Sequence, residues 1–378
     1  MKKILFILPW LAVGGLEKVQ VTIANALVER GYDVTVMALN PEADLLPQLD
    51  SRVKYVYRPY KPHKIMKRIP YIRHRFYDDG MWETRASAKT LYKYYVGNEN
   101  YDVEIAFFRG LPIKIISGST NKDSVKLAWV HSDFRRAKGY ENNFKDTEAT
   151  KKAYTLFHRV VCVSDEAKDG FKQVIGDTNN LTTIYNLLPI DQIKQLSTEP
   201  LNEENNKITV LSVGHLIEVK GYDRLLSANK KLINDGYKFD LWIVGYGAEE
   251  DALKKYAADN NLNNVKFLGK QLNPYKFMKN ADLYVCSSRF EGYNLTVAEA
   301  LLLGIPVLST DCTGPNEILD HGEYGVIVDN SEEGLYRGIK ELLGDPEKLH
   351  YYKEKAKERL DFFNEEKIIK QITDLFER

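Results

Sequence analysis

Residues 2–31 read KKILFILPWLAVGGLEKVQVTIANALVERG, and they decide how the chain begins to fold. A basic start leads into an apolar run, Gly14-Gly15 follows, and apolar residues then recur at helical spacing until Gly31. This order predicts a buried strand, a tight turn and an amphipathic helix, which together open a βαβ unit. The basic start and apolar run also resemble a signal peptide. No small-residue cleavage site precedes the helix, so the strand is favoured.

The same alternation of short apolar runs and amphipathic stretches continues along the chain. The predicted strands are residues 4–8, 34–39, 103–108, 125–130, 160–164, 208–213, 241–244, 265–268, 283–286, 306–309 and 326–328. Strands that alternate with helices predict parallel sheets with helices on both faces, so the fold class is α/β.

Residues 186–207 lack regular patterning, which indicates a connection between two domains. The expected organisation is a first domain over residues 1–188, a linker over 189–206, a second domain over 207–360, and a terminal helix over 361–378 that returns to the first domain.

Composition excludes several classes of protein. The 378 residues hold 53 Lys+Arg, 53 Asp+Glu and 44% hydrophobic residues, as in soluble globular proteins and unlike disordered chains. Residues 1–190 carry 29 basic and 21 acidic residues and the remainder 24 and 32, which indicates two domains with different partners. The three cysteines are far apart, so neither a disulfide scaffold nor a zinc site is expected, and a reducing cytosol fits. No apolar run is long enough to span a bilayer.

Two turns have the composition of phosphate-binding loops. Gly14-Gly15 precedes a helix, and glycines let a ligand approach the N–H groups at a helix start. The pair lacks GxGxxG spacing, so it indicates either an anion site or a tight turn without a ligand. Val213-Gly214-His215 and Lys220-Gly221 repeat this pattern in the second half. Lys220 beside a helix start favours a diphosphate site, and a solvated loop lysine is the alternative.

Residues 287–300 read SSRFEGYNLTVAEA and place two carboxylates eight residues apart. Glu291 is predicted in a loop after a strand, and Glu299 in the first turn of a helix capped by Asn294 or Thr296. Both carboxylates can then point into one cleft. The alternative needs no ligand, because Thr296 and Glu299 have the spacing of a capping box and Glu291 suits a solvated loop.

His131 follows the predicted strand at residues 125–130. Ligands of open α/β sheets bind outside the carboxyl ends of the strands. A histidine there is either a site residue or a hydrogen-bonded core residue, and its position alone does not separate the two.

Together these features resemble the retaining family-4 glycosyltransferases of the GT-B fold, which has two doubly wound Rossmann-like domains facing each other across a cleft. The matching stretches follow the family's order along most of the chain. They are Gly14-Gly15-Leu16-Glu17, Trp129-Val130-His131, Val163-Ser164-Asp165-Glu166-Ala167-Lys168, Tyr185-Asn186, Val213-Gly214-His215, Lys220-Gly221, Val244-Gly245-Tyr246-Gly247, Phe267-Leu268-Gly269, Ala281-Asp282-Leu283, Glu291-Gly292-Tyr293, Glu299-Ala300 and Gly304-Ile305-Pro306-Val307. Thr313-Gly314-Pro315-Asn316-Glu317-Ile318 is similar to members that build bacterial surface polysaccharides such as capsule, exopolysaccharide and O-antigen.

The resemblance implies a role for each matching position. Glu299 would bind the nucleotide ribose, Glu291 the donor-sugar hydroxyls, and Lys220 the diphosphate. His131 would face the donor sugar and help stabilise the transition state, which makes His131 and Glu291 the catalytic candidates.

The resemblance also implies a phosphate site, with one departure. The groups implied to surround the distal phosphate are the backbone N–H groups at Asn294 and Leu295, with Gly15 beside them and Gly14 as a further candidate. His215 stands where the family usually has Arg, which weakens half of the basic clamp. Arg289 is the candidate substitute.

Glycosyl transfer creates an oxocarbenium-like centre and a diphosphate leaving group, whose charge is met by a metal or by fixed cations and helix ends. No paired-aspartate metal motif stands out in the sequence. We therefore expect no metal and no cofactor, with a nucleotide sugar, UDP-linked, as the donor substrate. Retaining transfer implies either same-face attack, which we favour, or a two-step reaction through a carboxylate.

Residues 52–77 contain nine Lys or Arg and no acidic residue, with apolar residues at helical spacing. The basic residues expected to contact a membrane or acceptor are Lys64, Lys67, Arg68 and Arg73. Such a stretch favours an anionic membrane surface, at about 1 kcal/mol per basic residue, and a solvated basic loop is the alternative. No nucleic-acid-binding module accompanies the charge, so nucleic acid is not expected as a partner. The expected acceptor is a glycan or lipid-linked glycan, bound by the first domain at the inner face of the cell membrane.

Two other functions fit the implied fold. A UDP-sugar epimerase shares the GT-B architecture but needs neither an acceptor nor the basic stretch, and the Glu291…Glu299 segment argues against it. A catalytically inactive GT-B binding subunit would keep the fold without the chemistry. The presence of Lys220, Glu291 and Glu299 argues against that reading.

Overall fold

We describe the protein from a computed structural model, which covers residues 1–59, 81–137, 139, 141–201 and 207–377. The predicted membrane-contacting residues Lys64, Lys67, Arg68 and Arg73 lie outside the described residues. The chain divides into two compact units, one of residues 1–187 with 366–378 and one of residues 188–365. Each unit has its own parallel sheet and its own core.

The first unit begins with the predicted strand, turn and helix. Its described strands are β1 (Lys3–Leu8), β2 (Asp33–Ala38), β3 (Lys54–Tyr57), β4 (Val103–Ala106), β5 (Val125–Val130), β6 (Arg159–Cys162) and β7 (Leu181–Thr183). Its described helices before residue 188 are α1 (Gly15–Glu29), α2 (Met81–Arg85), α3 (Ala88–Tyr95), α4 (Leu111–Ser117), α5 (Thr147–Tyr154) and α6 (Asp165–Val174), with a 3-10 turn at Leu46–Gln48.

The first sheet is parallel and has the strand order β3-β2-β1-β4-β5-β6-β7. Strand β1 lies in its middle, where Ile4 is opposite Val34 of β2 and Val103 of β4. Residues 4–8 are buried, because a central parallel strand is covered on both faces and therefore consists of consecutive apolar residues. From β1 the strand order continues outward through β2 and β3, and from β4 it continues in the opposite direction through β5, β6 and β7. The switch point of this sheet therefore lies between the neighbouring strands β1 and β4.

The second unit repeats the α/β alternation. Its strands are β8 (Thr209–Val213), β9 (Asp240–Val244), β10 (Val265–Gly269), β11 (Leu283–Cys286), β12 (Val307–Thr310) and β13 (Val326–Val328). Its helices are α7 (Ile190–Ser197), α8 (Tyr222–Asn234), α9 (Glu250–Asp259), α10 (Tyr275–Lys279), α11 (Leu295–Leu302), α12 (Pro315–Ile318), α13 (Glu332–Gly344) and α14 (Pro346–Glu358), with 3-10 turns at Glu218–Lys220, Asp320–Gly322 and Arg359–Phe363.

The second sheet is also parallel, with the order β10-β9-β8-β11-β12-β13. Strand β8 pairs with β9 and β11, and Val210 lies opposite Leu241 and Leu283. Leu225, Leu226 and Leu232 of α8 belong to the same apolar core as Val210. The switch point of this sheet therefore lies between β8 and β11.

Two strands were not predicted from the sequence, namely β3 and β7. Both lie at the edges of the first sheet and are only partly buried. Edge strands bury less apolar surface than central ones, and the sequences of β3 and β7 lack the continuous apolar run that marks a central parallel strand.

The segment predicted as a linker, residues 189–206, is partly structured. It contains α7, which belongs to the second unit, where Ile193 is fully buried and Asn273 Nδ2 donates to Leu196 O at 2.8 Å. Helix α7 is too short for its periodicity to stand out in the sequence. The second unit thus begins at residue 188 and ends at residue 365.

The terminal helix α15 (Glu365–Asp374) contributes most of its residues to the first unit. Beyond it, Phe376 O accepts a hydrogen bond from Lys2 Nζ at 3.0 Å, and the Phe376 ring centroid lies 5.5 Å from that of Tyr32. Among the helices that the structure describes, none combines the length and the apolar character that crossing a membrane requires.

Candidate functional site

The switch point of the second sheet brings two predicted residues into contact. Lys220 lies in the loop after β8, and Glu291 lies in the loop after β11. Because the strands are parallel, both loops leave the same edge of the sheet. Lys220 Nζ lies 2.7 Å from Glu291 Oε1, so residues 71 positions apart in sequence form one ion pair.

Glu291 is held by further donors. Its Oε1 atom also accepts hydrogen bonds from Ser288 Oγ at 2.6 Å and from Asn294 Nδ2 at 3.1 Å. The exposed fraction of the side chain is 25% for Lys220 and 12% for Glu291. Burial alone would lower the pKa of Lys220, but the Glu291 charge and hydrogen bond raise it above its ordinary value. Lys220 is therefore charged at neutral pH.

Gly221 allows the loops that carry Lys220 and Glu291 to approach. Its φ is 67°, and a Cβ at this position would lie 2.2 Å from Ser287 O. Ser287 Oγ donates to Lys220 O at 2.8 Å, which fixes the backbone of the lysine. Any other residue at position 221 would strain the turn and separate the loops.

Asn294 caps helix α11. It has a φ of 71°, and its Oδ1 accepts from Val297 N at 3.2 Å and from Thr296 Oγ1 at 2.8 Å. The alternative capping box of Thr296 and Glu299 is therefore wrong, because Val297 occupies the third helical position. The prediction that Glu299 lies in the first turn of the helix is also wrong, because the helix begins at Leu295 and Glu299 lies beyond that turn. Leu295 is the first helical residue, so its N–H belongs to the set that has no partner within a helix.

Glu299 is buried with an exposed fraction of 5%, and its Oε1 accepts a hydrogen bond from Tyr275 OH at 3.0 Å. Burial raises the pKa of Tyr275, and the Glu299 charge raises it further, so Tyr275 remains a donor. Sequence reasoning missed Tyr275 and Ser288. The available signal for Ser288 was its place just after the predicted strand 283–286.

His215 follows β8 and lies near two other side chains. Its ring centroid is 5.2 Å from that of Tyr246, and Lys270 Nζ lies 5.2 Å from the Tyr246 ring centroid. The pKa of His215 is lowered by partial desolvation and by the charges of Lys220 and Lys270. Lys270 was missed, although it directly follows β10 at the edge where ligands bind.

Arg289, the candidate substitute for the missing family arginine, is already paired. Its Nη1 and Nη2 lie 2.9 and 2.6 Å from the two carboxylate oxygens of Asp223, and it also donates to Glu218 O. Its side chain points toward a carboxylate at the surface, and its role toward a phosphate stays a prediction.

In the first unit, Gly14 precedes α1 and lies against a buried carboxylate. A Cβ at Gly14 would lie 2.2 Å from Glu17 Oε2. Burial raises the pKa of Glu17, although hydrogen bonds from its own backbone N–H and from Trp10 lower it in part. A side chain at position 14 would displace the Glu17 carboxylate, and Gly15 is the first residue of the helix.

His131 directly follows β5 and packs against Phe107. Its Nε2 donates to Phe107 O at 2.9 Å, and the two ring centroids are 4.7 Å apart. Burial lowers the pKa of His131 to about 3, and the charge of Arg109 lowers it in the same direction. The buried Nδ1 has no hydrogen-bond partner in the described part of the chain. His131 is thus a neutral imidazole whose acceptor lone pair is on Nδ1.

Two family models match the chain in succession. The model Glycosyltransferase Family 4 matches residues 13–192, and the model Glycosyl transferases group 1 matches residues 194–359. Their junction falls close to the division between the two compact units.

Individual relatives agree with these matches. A Haemophilus influenzae protein described as an uncharacterized glycosyltransferase is 26% identical over 378 residues, which cover 98% of this chain and 99% of the relative. The Campylobacter jejuni N-acetylgalactosamine-N,N'-diacetylbacillosaminyl-diphospho-undecaprenol 4-alpha-N-acetylgalactosaminyltransferase is 32% identical over 188 residues, which cover 49% of this chain and 50% of the relative.

The fold has solved counterparts. The Anabaena protein HepE, crystallised with UDP and glucose, superimposes with a TM-score of 0.76 at 19% identity, and the match covers 99% of each chain. The successive family matches, the full-length relative and the two parallel Rossmann-like sheets show that the chain belongs to the group 1 and family 4 glycosyltransferases of the GT-B fold.

Proposed function

We propose that the protein is a retaining glycosyltransferase that moves a hexose or N-acetylhexosamine from a UDP-sugar to a glycan or lipid-linked glycan acceptor in surface-polysaccharide biosynthesis. The contact between Lys220 and Glu291 beside the start of α11 carries the proposal. A fixed ammonium next to a helix start suits a diphosphate, and a carboxylate suits sugar hydroxyls.

The groups described at the carboxyl edge of the second sheet would each bind a different part of the donor. Lys220 has three N–H donors, so it can keep Glu291 and hold a phosphate oxygen at the same time. The N–H groups of Asn294 and Leu295 would donate to the leaving diphosphate as well and so help Lys220 to stabilise its charge. Glu299, held by Tyr275, would accept hydrogen bonds from the ribose hydroxyls.

The proposed reaction is same-face attack. The bond between the sugar C1 and the diphosphate oxygen breaks, the acceptor oxygen bonds to C1, and the leaving phosphate takes the acceptor proton. His131, with its proton on Nε2, would accept a hydrogen bond from a donor-sugar hydroxyl at Nδ1. Lys220 and the helix start would meet the leaving charge without a metal ion.

The choice of UDP and of the acceptor draws on the relatives. HepE, which shares the fold, was crystallised with UDP and glucose. The Campylobacter jejuni relative is named as a transferase that acts on a diphospho-undecaprenol-linked sugar. Both points support a uridine donor and a lipid-linked acceptor for this chain.

A panel of UDP-sugars, incubated with the enzyme without an acceptor and in EDTA, tests the proposal. Release of free sugar from one UDP-sugar is the expected result, because transferases of this kind hydrolyse their donor slowly when water replaces the acceptor. Interconversion of UDP-sugars would instead identify an epimerase, and inert donors throughout would identify a binding subunit. Activity that EDTA abolishes and a divalent metal restores would contradict the metal-free part.

Contact with the inner face of the cell membrane is a separate part of the proposal. Neutralising Lys64, Lys67, Arg68 and Arg73 together should abolish sedimentation with vesicles that contain phosphatidylglycerol, since each basic residue contributes about 1 kcal/mol. Unchanged sedimentation of this variant would contradict the membrane contact and leave the transferase proposal intact.

A further inference from the structure

The first sheet has a cavity at its own switch point. The cavity has a volume of about 570 Å³, which is within the usual range for small-molecule sites. Its walls include residues at the carboxyl ends of four neighbouring strands, namely Trp10 after β1, Asn40 after β2, Tyr57 at the end of β3 and Arg109 after β4. This edge of an open parallel sheet is where ligands bind.

The walls combine aromatic rings with amide side chains. Trp10 and Tyr57 have exposed fractions of 39% and 41%, which is high for large rings. The Trp10 ring lies beside Phe108, whose ring centroid is 6.3 Å away. Asn40 and Asn142 line the same cavity. A sugar matches such walls, because its C–H face packs on an aromatic ring and its hydroxyls bond to amides.

Arg109 brings a positive charge to the cavity. Its Nη1 donates to Ser132 Oγ at 3.1 Å, and within the described ranges no acidic side chain forms an ion pair with it. Burial lowers the pKa of Arg109, but a guanidinium remains charged in proteins. By contrast, Arg135 lies 2.7 Å from the carboxylate of Asp133. A partly buried cation without a partner is unfavourable unless a ligand supplies the negative charge.

One acidic residue, Glu83, also lines the cavity. Burial raises the pKa of Glu83, while its own backbone N–H and Lys114 lower it in part. Lys114 Nζ donates to the backbone oxygens of Glu83 and Thr84 at 2.7 Å each, which places a second cation beside this carboxylate. The charge of Glu83 is thus opposed by Lys114, whereas Arg109 has no ion-pair partner in the part of the chain that the structure describes.

We propose that this cavity binds a saccharide that carries an oxyanion, with the anion on Arg109 and the sugar ring against Trp10. This inference rests on the proposed function, since it assigns the cavity to the acceptor. The oxyanion is either the carboxylate of an acidic sugar or a phosphate attached to a sugar. Both accept two parallel hydrogen bonds from a guanidinium.

Titration of the full chain with glucuronic acid, glucose 6-phosphate and methyl glucoside, followed by ligand-observed NMR up to tens of millimolar, tests the inference. An anionic sugar should bind at least about tenfold more tightly than methyl glucoside, because a hydrogen-bonded ion pair is worth that factor or more. The better of the two anionic probes identifies the carboxylate or the phosphate as the source of the charge.

Variants separate this site from general effects. Arg109→Gln should remove the preference for anionic probes, and Arg109→Lys should keep part of it, because a lysine retains the charge without the paired geometry. Arg52→Gln removes an equal charge from an arginine that is paired with Asp50, and it should leave the preference unchanged. Trp10→Ala should weaken binding of all three probes.

Equal binding of the three probes, no binding of any, or a preference that survives Arg109→Gln would overturn the inference. A UDP thermal-shift measurement on the same samples distinguishes the two proposals. Retained UDP binding with no anionic preference would remove only the acceptor inference. If the wild-type chain showed no UDP binding, the proposed function itself would be contradicted.

Discussion

The charged side chains at the carboxyl edges of the two sheets differ in whether they have an ion-pair partner. In the second unit Lys220 pairs with Glu291 and Arg289 pairs with Asp223. In the first unit Arg109 has no carboxylate partner in the described ranges, and burial keeps His131 neutral. A ligand at the second edge must share donors that are already in use, whereas an anion at the first edge would supply a missing charge. Substitutions at the two edges should therefore differ in kind.

The largest effect is expected for Lys220→Ala. The substitution removes the cation proposed for the diphosphate and leaves Glu291 largely buried without its partner. Hydrolysis of the UDP-sugar should fall by about a hundredfold or more, as for the loss of one preorganised donor. Kinetics on the purified variant would measure this.

Lys254→Ala is the matched control, since Lys254 pairs with Glu250 on an exposed helix face of the same unit. Its activity should equal that of the wild type. If Lys220→Ala also retained wild-type hydrolysis, the diphosphate would have to lie elsewhere, and the contrast between the two edges would lose its functional meaning.

Glu299→Ala comes next. Removal of a buried acceptor for the ribose hydroxyls should weaken UDP binding by about ten- to a hundredfold, measured by calorimetry. Tyr275→Phe should have a smaller effect, because it keeps the carboxylate and removes only the hydroxyl that orients it. Glu291→Ala should instead lower the turnover of bound donor. Equal UDP affinity in Glu299→Ala and the wild type would exclude a ribose contact.

A pH effect is expected from His131 at the first edge. The pKa of His131 is about 3 in the folded protein, below the ordinary value of 6.5 that applies to the unfolded chain. As the pH falls, the histidine of the unfolded chain therefore takes up its proton first. The contribution of the neutral, buried His131 to folding stability is complete above pH 6.5 and is lost as the pH falls from there toward about 3. In that window His131→Gln should reduce the slope of unfolding free energy against pH by up to about 1.4 kcal/mol per pH unit.

Urea unfolding at several pH values would measure the slope. His350→Gln removes an exposed histidine of α14 and serves as the comparison variant. Superimposable slopes for the wild type and His131→Gln would mean that His131 titrates normally and that its ring is not sequestered from water.

The smallest effect is expected for Arg289→Gln. Its pair with Asp223 is largely solvated, with exposed side-chain fractions of 31% and 52%, and such pairs contribute between about 0 and 1 kcal/mol. UDP affinity should change by less than about fivefold. A loss as large as that of Lys220→Ala would show that Arg289 leaves Asp223 to meet the diphosphate, which would make it a substitute for the family arginine.

The sequence was informative where burial is strong. All eleven predicted strands correspond to strands of the two sheets. Nine of them are interior strands, which need consecutive apolar residues, and the other two, β10 and β13, are edge strands of the second sheet. Lys54–Tyr57 and Leu181–Thr183 were missed because edge strands escape that requirement. The short helix Ile190–Ser197 was missed because eight residues show too little periodicity.

The site was harder to predict, because its contacts join distant parts of the chain. The residue types and loops of Lys220 and Glu291 could be chosen from the sequence, but their contact could not. The N-cap was ambiguous between Asn294 and Thr296, and only the positive φ of Asn294 and the bond to Val297 N resolve it. Within the described ranges, no carboxylate forms an ion pair with Arg109. The sequence could not predict this, because it does not show which side chains are neighbours in space.

The return of α15 has a consequence for biosynthesis. The second unit is inserted, in chain order, between residues 187 and 366 of the first. During synthesis the ribosome must therefore finish the inserted unit before the first one receives residues 366–377 and the contacts of Phe376 with Lys2 and Tyr32. A premature stop codon shortly before residue 365 would damage the half of the protein that was translated first, and leave the later half with nearly all of its residues.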